Sequence, residues 1–592
     1  MTPQKTVKQK TRTKGHRFSA AAEKEGKDGI LYIVPLGGLE EVGRNMMYFE
    51  YGNDIIIVDA GLGFPGAEEM PGIDYIIPNI KSLEEKKNKI RGLFITHGHY
   101  DHIGAMPYIM EKLGNPPVYA TPLTRGMIVR RQDDFKGLKP LKVIELKKNG
   151  NGENNKENQI IKAGVFEVEP FHVNHNIPDS VGFAIKTPVG KVIHTGDFKF
   201  DFAPLGDYPA DISKIVQAAE GGVTLLISDS TNALEEGHVQ SEKLIMEHLD
   251  EIVKKAPARI IAATFASLIV RIQELIAIAE KYGRKVVIDG YSMRINTEVA
   301  QQLGYIHAKK GTLIQPQNAD DYPPEKIMII CTGAQGEDKA VLMRIINGEH
   351  KYFKIKENDT VIFSSSVIPG NERSVQYLKD NLAFQRARIF HYQMMDIHAS
   401  GHAYIEDLKL MLNLVRPKFF LPVHGHFYMR AAHAEIAAQT GVPYENIILP
   451  KNGQIVELTP NKIRLNGKVP SNFVFVDGLG VGDVGEVVIR DRQMLAKDGM
   501  FTIIVLVDGQ TGQVKKSPDI ISRGFIYLKE SKELLKEIRD LIRKIVEEST
   551  RSSGAYAINT EYITNNLRDE VGKFLFYKTH RRPMILPVVL EV

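Results

Sequence analysis

The densest chemical signal in the chain is His97-Gly98-His99-Tyr100-Asp101-His102, three imidazoles and a carboxylate within one short string. Imidazole and carboxylate are the ligands that borderline divalent ions such as Zn2+ prefer. A tight loop with this spacing points His97 and His99 at one ion and turns Asp101 and His102 toward a second. Four ligands do not complete two sites, so further His and Asp residues are needed. Asp59 follows Ile55-Ile56-Ile57-Val58, and His175 sits in His172-Val173-Asn174-His175-Asn176. Asp197 closes Val192-Ile193-His194-Thr195-Gly196, and His424 follows Phe420-Leu421-Pro422-Val423. Each stands where an apolar run stops, the place where sites gather on sheet scaffolds. Taken singly, each reads as an ordinary strand-end residue. The clustered string is what marks a metal site.

The elements that must position these groups read as short buried strands. From Ile30 the chain is strand-rich with Gly and Asp punctuation, and Gly92-Leu93-Phe94-Ile95-Thr96 stops abruptly at His97. Between about 241 and 390, helical patterns such as 268–281 alternate with strand-like runs at 258–264, 285–288, 327–331 and 360–364. That alternation predicts βαβ units around a mostly parallel sheet. Pro and Gly punctuation around 455–485 predicts a linker. Beyond it, Leu534, Leu535, Ile538, Leu541, Ile542, Ile545 and Val546 recur at helical spacing and predict an amphipathic helix in a small C-terminal α/β unit. The run 148–158 is polar and low in complexity, with no chemistry assigned to it.

Composition bounds the rest. A chain of 592 residues with 43% hydrophobic and 25% charged side chains suits a soluble globular protein of several domains. One cysteine, Cys331, excludes a disulfide framework and a Cys-based zinc finger. No apolar run is long enough to span a bilayer, and no apolar leader follows the N-terminal charges, so a cytoplasmic location is expected. Residues 1–17 hold six Lys or Arg and no acid against a net charge of +4, which leaves the remaining body close to neutral. Residues 1–28 are expected as a disordered basic tail, a weak phosphate-seeking arm or a solubilising one.

The order Asp59, H-x-H-x-D-H at 97–102, His175, Asp197 and a late His424 resembles the metallo-β-lactamase fold. The wide α/β gap between Asp197 and His424 looks like the β-CASP branch, whose members act on nucleic acids. Within that branch the chain is most similar to bacterial ribonuclease J. The segments Pro35-Leu36-Gly37-Gly38-Leu39, Ser228-Asp229-Ser230-Thr231-Asn232, Thr264-Phe265-Ala266-Ser267 and Cys331-Thr332-Gly333-Ala334-Gln335-Gly336-Glu337 carry this likeness. So do Ser364-Ser365-Ser366-Val367-Ile368-Pro369-Gly370-Asn371-Glu372, His398-Ala399-Ser400-Gly401-His402, Val476-Asp477-Gly478-Leu479-Gly480-Val481-Gly482 and Arg581-Arg582-Pro583-Met584-Ile585-Leu586-Pro587. It spans roughly residues 30–592.

The resemblance implies an αββα metallo-β-lactamase sandwich at 29–240 and 391–455 with a β-CASP α/β domain inserted at 241–390. A linker at 456–485 and a C-terminal α/β domain at 486–592 would follow. His97, His99 and His175 would hold one divalent ion and Asp101, His102 and His424 the other, with Asp197 between them and Asp59 fixing the loop behind. Zn2+ is the first choice and Mn2+ the alternative. His402, oriented by Asp229, would serve the leaving oxygen. Ser267, His398, Ser400, Gly401 and His402 would line the RNA and its 5′-phosphate. The implied activity is hydrolysis of RNA phosphodiesters by a hydroxide held between two metals, 5′→3′ exonucleolytic with endonucleolytic cleavage besides, leaving 5′-phosphates. Its setting would be RNA maturation, ribosomal RNA processing and mRNA decay, as a homodimer or homotetramer, within an RNA-processing or decay complex. Two departures bear on the end pocket: Leu268-Ile269-Val270 stands where the family has Asn and His before Arg271, and Tyr291 stands where an Arg is usual. Tyr100 replaces a common acidic residue at a position that ligates nothing. The competing readings are a small-molecule hydrolase, another β-CASP nuclease acting on DNA or RNA 3′ ends, and an RNA-binding scaffold without catalysis.

Overall fold

The computed structural model describes residues 29–65, 70–147, 159–368, 370–395, 397–478, 480–526, 531–551 and 558–592. The tail 1–28 and the run 148–158 lie outside the described residues. Two sheets stack face to face to form the first body. One has eight strands, in which Leu31–Gly37, Met46–Tyr51, Asp54–Val58 and Ile90–Phe94 are consecutive neighbours. The other has six, ordered Pro417–Val423, Val223–Asp229, Gly190–His194, Val181–Thr187, Phe166–His172 and Ile161–Ala163. Their facing sides bury Ile33, Phe49, Ile56, Phe94, Phe183, Leu225 and Leu421, a β-branched and aromatic core that fits pleated faces.

The returning strand Pro417–Val423 pairs parallel with Val223–Asp229, with Asp229 opposite Val423. This register brings His424, far along the chain, beside Asp229. Between these two strands the chain forms a separate five-stranded sheet, ordered Lys285–Asp289, Ile327–Cys331, Ile260–Ala263, Thr360–Phe363 and Arg388–His391, every pair parallel. Its strands are nearly all apolar, as a sheet covered on both faces requires.

A buried charge network fastens the two bodies. Lys199 Nζ lies 3.1 Å from Glu242 Oε1, and Arg271 reaches Glu242 Oε2 at 2.5 Å, Glu274 Oε2 at 2.8 Å and the Ile397 carbonyl at 2.8 Å. Burial opposes the Glu242 charge, but Lys199 and Arg271 hold its pKa down to about 2. Glu274, whose Oε1 has no hydrogen-bond partner, is pushed up to about 7 by burial, only partly offset by Arg271.

The stretch 456–485, expected as a linker, is instead built into the fold. Gln454–Leu458 pairs antiparallel with Leu31–Gly37, Ile463–Lys468 adds an edge strand beside it, and Val474–Asp477 pairs antiparallel with Tyr75–Ile77. Pro460 and Pro470 fall between these strands, whereas Gly467 lies within the edge strand, which is too exposed to carry an apolar pattern. The C-terminal body packs helices Lys532–Arg551 and Thr560–Thr579 on one face of a three-stranded sheet. Among the described residues no helix is long and apolar enough to cross a membrane.

Glu274 sets a pH test. A carboxyl whose folded pKa is raised contributes stability that is complete below its unfolded value and is lost as pH rises through about 7. Glu274→Gln removes that loss, so the variant's melting temperature relative to the parent rises from pH 5 to pH 8. A difference that is flat across this window contradicts the assignment.

Candidate metal centre

The ligand string lies in the loop after strand Ile90–Phe94 and runs into the single turn Tyr100–Ile103. A second loop, after Asp54–Val58, grips it through the backbone: Ala60 N donates to the His102 carbonyl at 2.7 Å and Leu62 N to that of Tyr100 at 3.0 Å. A Cβ at Gly61 would sit 1.6 Å from the Asp101 carbonyl oxygen, so only glycine permits this approach. Asp59 and His424 both hold left-handed backbone, φ 60 and 49, a conformation that costs non-glycine residues of order 1–3 kcal/mol and gathers at functional sites.

Asp59 ties the string together. Its carboxylate accepts from Thr96 N at 2.8 Å and Thr96 Oγ1 at 2.9 Å, and from His102 Nδ1 at 2.8 Å. With Nδ1 occupied, His102 turns Nε2 toward Asp197 Oδ2 at 3.1 Å and Asp101 Oδ2 at 3.5 Å. A carboxylate behind a ligating imidazole fixes tautomer and ring orientation in this way. His175 is set similarly: Nδ1 donates to the Gly401 carbonyl at 2.6 Å, leaving Nε2 3.1 Å from His99 Nδ1. A Cβ at Gly401 would meet His175 at 2.6 Å.

The structure brings the expected ligands into two adjoining groups. His97, His99 and His175 form one, and Asp101, His102, Asp197 and His424 the other, with ligand atoms within 4.8 Å inside each group. Asp197 stands between them: Oδ2 is 3.8 Å from His97 Nε2, while Oδ1 is 3.3 Å from His424 Nδ1. Burial, reinforced by neighbouring imidazoles, pushes the His97 pKa well below its usual value, and burial takes His99 down to about 4. Burial opposes the charges of Asp101 and Asp197 as well, yet His102 and His424 hold both ionised. Neutral imidazoles with His97 Nε2 and His99 Nδ1 3.0 Å apart, beside buried carboxylates, make a donor set that fits divalent cations.

A third pair borders the ligands. Asp229 Oδ2 lies 2.8 Å from His402 Nδ1; burial works against the His402 charge, but Asp229 raises its pKa. Asp229 is itself held by Thr231 Oγ1 at 2.7 Å. The His402 ring centroid is 5.0 Å from that of His175 and 5.3 Å from that of His424. Ser400 Oγ accepts from Asn232 Nδ2 at 2.5 Å and from His402 N at 3.1 Å, which joins Ser400, Gly401 and His402 to the centre. Ser267 follows strand Ile260–Ala263, part-buried, and His398, also part-buried, lies near Arg271; neither bonds to that group among the described residues. Sequence reasoning missed Thr96, and Asn45, whose Nδ2 is 3.0 Å from His102 Nε2. It also missed Arg131, stacked 5.1 Å over the Tyr100 ring. Thr, Asn and Arg carry no ligand signature, so only packing reveals them.

This sandwich, with its split ligand string and inserted parallel sheet, defines a metallo-hydrolase of the metallo-β-lactamase superfamily with a β-CASP domain. Family models agree in order along the chain: metallo-β-lactamase superfamily over 39–253, ribonuclease J β-CASP domain over 257–382, Zn-dependent metallo-hydrolase RNA specificity domain over 391–450 and ribonuclease J C-terminal domain over 487–592. The chain is 39% identical to ribonuclease J 1 of Streptococcus pyogenes, covering 94% of this chain and 97% of that one. It is 38% identical to ribonuclease J2 of Bacillus subtilis, covering 95% and 98%. A solved protein of unknown function from Enterococcus faecalis superposes with a TM-score of 0.51 at 17% identity, over 72% of this chain and 100% of that one, a likeness of fold. The chain belongs to the ribonuclease J family, and is a metal-binding ribonuclease hydrolase of that type.

Asp59→Asn keeps a residue that tolerates left-handed backbone but removes the charge behind His102. Its expected effect is about 10–100-fold weaker metal retention against a competing chelator, with the fold intact by circular dichroism. Unchanged retention contradicts the role given to Asp59.

Proposed function

We propose that the chain hydrolyses single-stranded RNA phosphodiesters from the 5′ end, with internal cleavage besides, leaving 5′-phosphates. The observation that carries this reading is the His402–Asp229 pair, held at 2.8 Å directly against both ligand groups. Two divalent ions, Zn2+ first and Mn2+ as the alternative, would activate water near neutral pH and neutralise phosphate charge. His97, His99 and His175 would hold one and Asp101, His102 and His424 the other, with the Asp197 carboxylate shared by both ligand groups. The chain's own residues supply orientation and a proton. Asp229 fixes His402 so that Nε2 can donate to the departing oxygen, and Thr231 locks Asp229 in turn. Ser400, the Gly401 backbone, His398 and Ser267 receive the 5′-terminal phosphate, and the buried His398 Nδ1, with no hydrogen-bond partner, supports that role.

RNA maturation, including ribosomal RNA processing, and mRNA decay in the cytoplasm are the setting this activity suits. Self-association, as a dimer or tetramer, is assigned to the C-terminal body. The sheet's face away from its helices leaves Ile521, Leu586, Val588 and Leu590 exposed in a pattern of alternate residues. Membership of an RNA-processing or decay complex is part of the same reading.

The test follows a 5′-monophosphorylated single-stranded RNA labelled at either end, beside a 5′-hydroxyl copy. Release of 5′ mononucleotides, faster from the monophosphate, is expected. Asp101→Ala should lower the rate at least about a thousandfold, and His402→Ala about 10²–10⁴-fold with metal content retained. Internal fragments regardless of the 5′ group would reject the end pocket and leave the nuclease. No cleavage with either metal would reject the enzyme reading.

A further inference from the structure

The inserted domain holds a cavity of about 550 Å3 that the metal centre does not use. It opens where the parallel strands Lys285–Asp289 and Ile327–Cys331 end, the edge of an open α/β sheet at which ligands bind. Gly290, φ 112, forms part of its floor, and a Cβ there would meet Thr332 Oγ1 at 2.9 Å. Four cations line it: Arg294, Lys339, Arg344 and Lys351. None of the four is ion-paired to a carboxylate among the described residues, unlike the buried Lys199, Arg259 and Arg271, each of which meets one.

The one lining carboxylate does not neutralise them. Asp289 accepts from Gly290 N at 2.8 Å and faces His350 Nε2 at 3.1 Å. His350 Nδ1 accepts the amides of Tyr352, at 3.3 Å, and Phe353, at 3.1 Å, so the His350 proton resides on Nε2 and points at Asp289. The acid is turned inward and satisfied, while no carboxylate pairs the cations, of which Lys351 lies 4.9 Å over the Tyr352 ring. Uncompensated converging cations are what a phosphate needs.

Two exposed aromatic faces complete the site. Tyr352 is 40% and Tyr291 62% exposed; one face of Tyr352 is taken by Lys351 Nζ at 4.9 Å, which leaves Tyr291 as the more open surface of the kind on which bases stack. Tyr291 also donates from its hydroxyl to Asp134 Oδ1 at 3.1 Å and accepts from Arg130 Nη2 at 3.4 Å, both in or next to helix Pro122–Asp133 of the sandwich. The cavity therefore opens at the seam between the two bodies.

We propose that this cavity is a nucleotide-binding site: phosphate against Arg344, Lys351, Lys339 and Arg294, base against Tyr352 or Tyr291. A free nucleoside monophosphate and a nucleotide within an RNA strand crossing the seam share this chemistry. The RNA source rests on the ribonuclease reading; the free nucleotide does not.

The test uses the full metal-loaded chain and an Arg344→Gln/Lys351→Gln double variant. Probes are AMP, by calorimetry, and phosphorothioate RNA of tetranucleotide and dodecanucleotide length, by anisotropy at low and physiological salt. Hydrolysis of bis(p-nitrophenyl) phosphate, a diester small enough to use the metal centre alone, should be unchanged in the variant. AMP binding at least about tenfold weaker identifies a free nucleotide. A comparable loss for the dodecanucleotide but not the tetranucleotide identifies a strand, with the salt slope falling by about 0.7 per lost phosphate contact. Equal binding of every probe by parent and variant overturns the proposal. Lys339→Gln, at an exposed position, repeats the comparison should the double variant unfold. Absence of hydrolysis in the parent itself would count against the ribonuclease reading, while the AMP arm still decides the cavity.

Discussion

Charge crowded into a buried site is the constraint on which this structure turns. Three imidazoles converge with nitrogens 3.0 and 3.1 Å apart, and Asp101, Asp197 and Asp229 crowd around His102 and His424. Protein groups alone hold such an assembly at a cost, because buried imidazoles and carboxylates lose their hydration. Divalent cations offset that cost. The strained backbone at Asp59 and His424, and the glycines at 61 and 401, are local concessions that bring ligands closer than ordinary residues allow.

Chain topology explains how ligands so distant in sequence meet. Strands Asp54–Val58 and Ile90–Phe94 pair parallel, so both deliver their following loops to the same sheet edge. Strands Val223–Asp229 and Pro417–Val423 do the same in the second sheet, which lets a whole domain be inserted without separating Asp229 from His424. The insertion is not loosely tethered. Lys199, Glu242, Arg271 and Glu274 form a buried joint, and breaking one partner of such a network strands the others.

Much of the site was legible because its chemistry is written in rare residue types. His97 through His102 announce themselves as a string; His175, Asp197 and His424, ordinary strand-end residues taken singly, were placed by the family resemblance, and the structure brings all of them into two groups. The pairing of His402 with Asp229 was legible only through family resemblance, since lone His and Asp residues carry no signal of partnership. Thr96 and Asn45 were invisible because their roles exist only in the folded loop. The helix Lys532–Arg551 was readable from its apolar spacing, whereas the edge strand Ile463–Lys468 was not, being exposed along nearly its whole length. Punctuation by Pro and Gly marks turns, and turns occur within domains as readily as between them.

The most direct measurement is metal content and position together: anomalous diffraction from the metal-loaded chain, recorded at the zinc and manganese edges. Two peaks are expected, one among His97, His99 and His175 and one among Asp101, His102 and His424, with the Asp197 carboxylate between them. A single peak, or density away from these side chains, would contradict the account of the centre.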